Sequence, residues 1–125
     1  MHGADFDDTP TIEKEVKAWF LERARIHLPR RIEVNRQRFA DPECVRPAGL
    51  RLERMPTRWG SMSAGGRLLL NPDLMSAPME CIDYVVTHEL CHLLVPSHSR
   101  RFYELQESIL PDWERRKQRL ERALA

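Results

Sequence analysis

The spacing of apolar residues changes along this chain, from helical at the start to alternating in the middle and helical again towards the end. In the first region, apolar side chains recur at helical spacing with charges between them, which predicts a helix that begins near Thr11. The stripe predicted to face the core contains Ile12, Val16, Trp19 or Phe20, and Arg23 or Ala24. Pro29 is expected to end this helix or to kink it, with a shorter helical stretch continuing to Phe39.

The middle of the chain predicts a small antiparallel sheet of about three strands. Apolar and charged residues alternate from Leu50 to Met55, which indicates a half-buried strand. Two further short extended runs, residues 58–63 and 67–71, flank the Gly65-Gly66 pair. Because a glycine pair supports a tight turn, we expect these two runs to form a hairpin.

A second long helix is expected after Ser76-Ala77-Pro78, since proline is tolerated in the first turn of a helix. Its apolar ridge consists of Ile82, Val86, Leu90 and Leu93. Pro96 is expected to end it, because proline donates no backbone hydrogen bond and disfavours helix in the residue before it. Ser99 is a suitable N-cap for a third helix up to Leu110, and a last helix is expected after Asp112.

The length of 125 residues fits one domain, which we place at residues 11–125, after a flexible acidic lead-in at residues 1–10. Apolar residues make up 42% and charged residues 31% of the chain, so a core can form without disulfides. The cysteines, Cys44, Cys81 and Cys91, have neither disulfide-framework nor zinc-knuckle spacing, and we expect a cytoplasmic protein. No apolar run is long enough to span a membrane, so no membrane partner is expected.

Charge is unevenly distributed, although the net charge is only +1. Residues 23–67 carry 11 basic and 4 acidic side chains, and every basic one is an arginine. An arginine-rich region of this kind can attract phosphate or nucleic acid. Such charge more commonly forms a solvated helix face, and we favour that interpretation.

One short stretch, Thr87 to Leu93, carries a pattern with defined chemistry. It contains His88-Glu89-x-x-His92, and His98 follows six residues later. Residues four apart lie on one face of a helix, so His88 and His92 can present both imidazoles to one metal ion. Glu89 lies at the flank of that face, where its carboxylate can reach water at the metal as a general base. The pattern therefore predicts a hydrolytic zinc site.

The third ligand is predicted to be His98, which would leave the fourth position of the zinc ion open, as in catalytic sites. Its offset from His88 matches the metzincin pattern, but Val95 stands where that pattern needs a glycine, and no Met-turn follows. A glutamate from the next helix, Glu104 or Glu107, is the alternative. We favour His98 because it is nearer in sequence and because a proline just before it directs the chain away from the helix.

Several segments around this pattern occur together in a known family. They are Arg58-Trp59-Gly60-Ser61, Leu68-Leu69-Leu70-Asn71, Ala77-Pro78, Ile82 to Val86, His88 to Leu93, His98-Ser99-x-x-Phe102 and Leu110-Pro111-Asp112. With these segments in this order, residues 12–122 resemble the YgjP-like metallopeptidase domain, which is related to SprT-like proteases and to minimal gluzincins. Met62 stands where that family usually has a cysteine, and we interpret it as a packing residue.

The resemblance implies a compact α+β zincin-like domain with an N-terminal helix, a small antiparallel sheet, a helix that carries the active site, and C-terminal helices. It implies one catalytic Zn2+ ion held by His88, His92 and His98, with Glu89 as the catalytic glutamate. It also implies a peptide or protein substrate, which would add as an extended strand to the edge of the sheet beside the cleft. Candidates for a second group that holds the oxyanion are Tyr84, Arg100 and Tyr103.

Three other functions are compatible with the same residues. YgjP-like proteins have also been assigned to cleavage of nucleotide pyrophosphate bonds, notably in UTP, and arginines of residues 23–67 would then bind phosphates. SprT-like proteins are DNA-associated proteases, in which such arginines would contact DNA. The third alternative is a zinc-stabilised binding module without catalysis, although a structural site has no use for Glu89 as a general base.

Overall fold

The chain folds into four α-helices and a three-stranded sheet, and the computed structural model describes residues 9–123. The elements in chain order are α1 (Thr9–Arg36), β1 (Gly49–Leu52), β2 (Gly60–Met62), β3 (Arg67–Leu70), α2 (Met79–Cys91), α3 (Arg100–Ile109) and α4 (Trp113–Ala123). Short 3₁₀ helices occur at Pro42–Val45 and Pro72–Ser76. The predicted α+β class is confirmed. The predicted lead-in lies outside the described residues, apart from Thr9 and Pro10, which are helical.

Helix α1 runs without interruption through Pro29, so the predicted break at this residue does not occur. Ala24 and Leu28 before the proline and Ile32 after it are buried along one side of the helix. Proline removes one backbone hydrogen bond, and the burial of these apolar side chains on both sides offsets that loss. Packing against the rest of the domain therefore decides the length of α1.

The predicted core stripe of α1 is only partly correct. Ala24 is fully buried, but Ile12, Val16 and Trp19 are each about half exposed, at 51%, 46% and 55%. The buried residues of this helix are Ala24, Leu28, Ile32, Asn35 and Arg36. Helix α1 thus carries apolar side chains on two faces, of which the domain covers one.

The sheet is mixed, so the prediction of a purely antiparallel sheet is wrong. Strand β3 lies in the middle, pairs antiparallel with β2 as the predicted hairpin, and pairs parallel with β1. The cause is the connection at residues 53–59, which carries the chain past β3 to the far edge. Buried Asn71 holds this crossover, since its side-chain amide donates to the carbonyl oxygens of Met55 at 3.0 Å and Arg58 at 3.2 Å.

Helix α2 lies at the centre of the molecule and packs against α1, α3, α4 and β2. Ten of its thirteen residues are buried. The cleft residues of this helix are therefore fixed from several sides at once. None of the helices among residues 9–123 is both long enough and apolar enough to cross a membrane.

Ion pairs attach α2 to the helices on either side. Asp83 is 4% exposed and accepts two hydrogen bonds from Arg31 of α1, at 2.9 and 2.7 Å, and one from Asn35 at 2.9 Å. Near the start of α2, Glu80 pairs with Arg115 and Arg119 of α4. The buried Asp83 cluster fixes the rotation of α2 and hence the direction in which its cleft residues point.

Candidate metal centre

The three histidines predicted as ligands meet at the C-terminal end of α2. His88 lies in the last turns of the helix, His92 forms its C-cap, and His98 lies in the loop before α3. The Nε2 atom of His98 is 3.2 Å from Nε2 of His88 and 3.0 Å from Nε2 of His92. One ligand atom from each ring lies within 4.8 Å of the other two. The structure thus brings the three side chains to one point.

The loop after α2 returns the chain to this point. The backbone N–H of Val95 donates to the carbonyl oxygen of Cys91 at 2.9 Å, and the Val95 side chain is buried. Ser99 then caps α3, because its hydroxyl accepts from the N–H of Phe102 at 3.4 Å. His98 is therefore held between an anchored turn and a capped helix start.

The glutamates considered as alternative ligands lie elsewhere. Glu104 pairs with Arg100 at 3.2 Å, and its side chain is 68% exposed. Glu107 is also exposed. Among residues 9–123, the group of side chains that could hold a metal ion contains only His88, His92 and His98.

Hydrogen bonds orient two of the three imidazoles. Nδ1 of His88 lies 2.8 Å from Oε1 of Gln106, which is completely buried, and Nδ1 of His92 lies 3.2 Å from the carbonyl oxygen of Val95. Because both partners are acceptors, each Nδ1 carries the proton and each Nε2 presents a lone pair to the common point. The Gln106 amide nitrogen has no hydrogen-bond partner among the described residues.

The ring of Phe102 in α3 packs against all three imidazoles. It is completely buried, and its ring centroid lies 4.4 Å from that of His92, 4.9 Å from that of His88 and 5.0 Å from that of His98. Such contacts restrict the rotamers of all three imidazoles. The sequence predicted no role for Phe102, and it gave no signal for Gln106, which follows by one helical turn on the same helix.

The donor set and its spacing fit a zinc ion. Zinc binds imidazole nitrogen at about 2.0–2.1 Å in tetrahedral geometry, which places two such nitrogens roughly 3.3 Å apart. The separations of 3.0 and 3.2 Å are close to this value. Burial lowers the pKa of His88 to about 4 and also lowers the pKa of His92. Both rings therefore stay in the neutral form that binds metals.

Glu89 is a buried carboxylate beside the histidines, with 7% of its surface exposed. Burial raises its pKa to about 7, against a smaller lowering by the charge of Arg58. Strand β2 approaches this side chain closely at Gly60, where a Cβ atom would lie 3.1 Å from Cγ of Glu89. Glycine at this position is thus what permits β2 to pack against the helix at the glutamate.

A cleft of about 940 Å³ runs along this site. One wall is the hairpin from Gly60 to Gly66, and the other carries the three histidines and Glu89. Strand β2 is an edge of the sheet, so one side of it remains unpaired within the sheet. Arg58 lines both this cleft and a second cavity of about 220 Å³ that also contacts His88 and Glu89.

The candidates for an oxyanion-holding group occupy different places. Tyr84 is buried, lines the second cavity, and has its pKa raised by burial to about 12. The Tyr103 ring stacks at 6.3 Å on His98 and at 5.7 Å on Trp113. Arg100 is 93% exposed and is paired with a glutamate of its own helix. The rings of Tyr84 and Tyr103 therefore pack against His88 and His98, whereas the Arg100 side chain is exposed.

The arginines of residues 23–67 do not form one free basic surface. Seven of the eleven have a carboxylate within ion-pair distance: Arg25, Arg31, Arg36, Arg38, Arg46, Arg51 and Arg54. Arg23 lies 5.1 Å from the Trp19 ring centroid. Most of this charge is thus compensated within the chain.

This fold, with a histidine triad and a buried glutamate along one cleft, defines a metallopeptidase-type domain. The chain belongs to the YgjP-like family, since the model of the YgjP-like metallopeptidase domain matches residues 2–123. The resemblance inferred from the sequence is thereby confirmed.

One solved structure supports the same fold. It is the metallopeptidase zymogen of Pyrococcus abyssi abylysin, which is similar with a TM-score of 0.59 and 22% identity over 77% of this chain and 90% of that one. At this level of identity, the likeness concerns the fold alone. A search of curated proteins finds no match to the chain.

Proposed function

We propose that this chain is a zinc-dependent metallopeptidase that hydrolyses peptide bonds, with His88, His92 and His98 as zinc ligands and Glu89 as general base. The supporting observation is the convergence of three Nε2 atoms beside a buried carboxylate, in a cleft bounded by an edge strand. A zinc ion held by three neutral imidazoles supplies a Lewis acid with an open position, which acidifies water and polarises a carbonyl group.

Glu89 has the properties required of the base. Its pKa of about 7 allows the carboxylate to take a proton from the attacking water and, once protonated, to pass that proton to the leaving amine near neutral pH. The close approach of Gly60 restricts the position of the glutamate side chain. Glu89 therefore needs little reorganisation between the two proton transfers.

Strand β2 is the element on which a peptide substrate would bind. An extended peptide can pair with an exposed strand edge through main-chain hydrogen bonds. Since β2 begins at Gly60, next to Glu89, such a peptide would lie along the cleft with its backbone beside the carboxylate. Selection of the substrate would then rest on an extended backbone.

Hydrolysis of a nucleotide pyrophosphate bond is the second candidate, and Arg58 is the observation that favours it. Arg58 is exposed and lines the cleft close to Glu89. Arg46, the other cleft arginine, already makes two 2.9 Å hydrogen bonds to Glu43. One arginine without an ion pair among residues 9–123 gives weaker support for a triphosphate than the strand edge gives for a peptide.

The decisive experiment combines metal analysis with two substrates. Purified protein is stripped of metal, reloaded with zinc, and assayed in parallel on casein and on UTP. We expect one zinc per chain and cleavage of casein. Glu89→Gln should keep the zinc and lose turnover, His98→Ala should lose zinc affinity, and the matched control Glu104→Gln should keep both. Cleavage of UTP without casein would replace the peptide assignment with the second candidate.

We further place the protein in the cytoplasm. Its three cysteines are free thiols, and two of them, Cys81 and Cys91, are buried in the core. Buried unpaired thiols fit a reducing compartment. Fractionation of cells that express the chain tests this, and recovery with secreted proteins would contradict it.

A further inference from the structure

Helix α1 has an apolar face that the described part of the domain leaves exposed. Its members, which we call the outer seam, are Ile12, Val16, Trp19, Arg23 and Ile26. The four apolar members are between 46% and 55% exposed. At about 100° per residue, these five side chains form one stripe, on the opposite side of the helix from Ala24, Leu28 and Ile32. Burial within the domain therefore does not explain why the seam is apolar.

The spacing of the seam is that of a helix that packs on another helix. Successive members lie four, three, four and three residues apart, which is the heptad repeat of a coiled coil. Arg23 fits this pattern despite its charge, since its guanidinium lies 5.1 Å from the centroid of the Trp19 ring. The aliphatic carbons of Arg23 can cover apolar surface while its guanidinium packs on the aromatic ring.

The charges beside the seam favour one orientation of a pair. On the seam side of the helix, residues 13–22 carry three glutamates, whereas residues 23–31 carry Arg23 and Arg30. Arg25 and Arg31 are already paired, with Glu22 and Asp83. Two parallel copies of α1 would place arginines beside arginines. Two antiparallel copies would place the acidic half of each helix beside the arginine half of the other.

We propose that the outer seam of α1 is the docking surface for a second copy of this chain, with the two α1 helices antiparallel. Antiparallel heptad packing aligns Val16 with Ile26 of the second copy and Trp19 with its Arg23. The interface is two-fold symmetric, so the same stripe serves both chains. None of the seam residues lines the 940 Å³ cleft, and the pairing leaves that cleft open. The inference is therefore independent of the proposed function.

The size of the seam sets the expected affinity. Ile12 to Ile26 spans roughly 21 Å along the helix, at about 1.5 Å per residue. A single pair of helices over that length lies at the low end of specific interfaces, so we expect dissociation in the micromolar range.

Sedimentation velocity of the full chain, from about 1 to about 100 μM, tests the association. We expect a shift from monomer to dimer across this range. Trp19→Glu should remain monomeric throughout, because it places a charge in the centre of the seam. Ala18→Glu is the matched control: it adds the same charge at the adjacent exposed residue, off the seam, and should dimerise as the unmodified chain does. Circular dichroism verifies that both variants are folded.

Cysteine cross-linking tests the orientation. In a Cys44→Ser background, a Val16→Cys chain mixed with an Ile26→Cys chain should form the mixed disulfide. A preference for Val16→Cys chains to link with each other would overturn the antiparallel arrangement. The proposal also fails if the unmodified chain is monomeric at every concentration, or if Trp19→Glu dimerises normally. A monomer that cosediments with anionic lipid vesicles would assign the seam to a membrane surface instead.

Discussion

Two carboxylates of α2 are equally buried but have opposite surroundings. Asp83 and Glu89 are 4% and 7% exposed, and they lie six residues apart on one helix. Asp83 accepts three hydrogen bonds from Arg31 and Asn35. No hydrogen bond from a described residue contributes to the pKa of Glu89, which burial raises to about 7. Burial alone thus does not decide the protonation of a carboxylate at neutral pH, whereas its hydrogen-bond partners among the described residues also contribute.

Replacement of Glu89 by glutamine gives the largest expected effect. If Glu89 is the general base, Glu89→Gln should lower turnover by roughly 10²–10⁴-fold, because that is what a positioned acid–base group contributes. Peptide hydrolysis by zinc-loaded protein at pH 7 measures it, with Glu104→Gln as the exposed control. Unchanged turnover in Glu89→Gln would show that another group accepts the proton.

The same substitution should stabilise metal-free protein at alkaline pH. The folded-state pKa of Glu89, about 7, lies above its ordinary value of 4.5, so folding favours the protonated form. Its contribution to stability is complete below pH 4.5 and is lost as the pH rises through 7, by about 3 kcal/mol. Urea unfolding at pH 5 and pH 8 in the presence of a chelator should show this loss in the unmodified chain and not in Glu89→Gln. Equal pH dependence in the two proteins would contradict the buried charge.

Replacement of Asp83 by asparagine should have the opposite effect on stability. Asp83→Asn removes the carboxylate from a buried pair and leaves Arg31 without its counter-charge, which should cost about 3 kcal/mol of the free energy of unfolding. Asp73→Asn is a matched control, since it breaks a partly exposed pair with Arg54 and should cost less than about 1 kcal/mol. Urea unfolding at pH 7 compares them. Equal losses would mean that burial of the pair is unimportant.

Gln106 is a buried hydrogen-bond partner of the His88 imidazole, as Arg31 is a partner of the Asp83 carboxylate. Gln106→Leu keeps the volume and removes the acceptor, so zinc affinity should fall by roughly 10–100-fold. Gln106→Glu restores an acceptor and should recover most of that affinity. Competition with a chromophoric chelator measures both variants. If Gln106→Leu binds zinc as tightly as the unmodified chain, Gln106 does not position His88.

Glu80 supplies the smallest expected effect. Hydrogen bonds from Arg115 and Arg119 lower its pKa, so its contribution to stability is present at neutral pH and is lost as the pH falls through that lowered value. Glu80→Gln should therefore lower the Tm slightly at pH 7, and the difference should vanish in acid. Thermal unfolding of both proteins, from pH 7 into the acid range, measures this difference in Tm. A difference that persists in acid would point to packing rather than charge.

The sequence could predict what depends on neighbours along the chain. His88 and His92 share a helix face by spacing alone, and the glycine turn between β2 and β3 is a local signal. The hydrogen-bond partner of His88 was not predictable in this way, because Gln106 reaches His88 only through the angle at which α3 packs on α2. The parallel pairing of β1 with β3 was not predictable for the same reason, because it depends on the course of residues 53–59. The same limit also explains α1, where periodicity predicts an apolar stripe but not whether the domain covers it.

Strand β2 consists of only three residues, from Gly60 to Met62. A peptide paired with so short an edge has regular main-chain bonds over roughly 10 Å, at about 3.3 Å per residue. Under the proposed function, so small a contact carries little information about the amino-acid sequence of the substrate. Strand pairing does require a substrate backbone whose N–H and C=O groups are not already hydrogen-bonded in other secondary structure. The enzyme would then discriminate by the folding state of its targets, acting on loops, termini and unfolded chains while sparing the same sequence inside a stable domain.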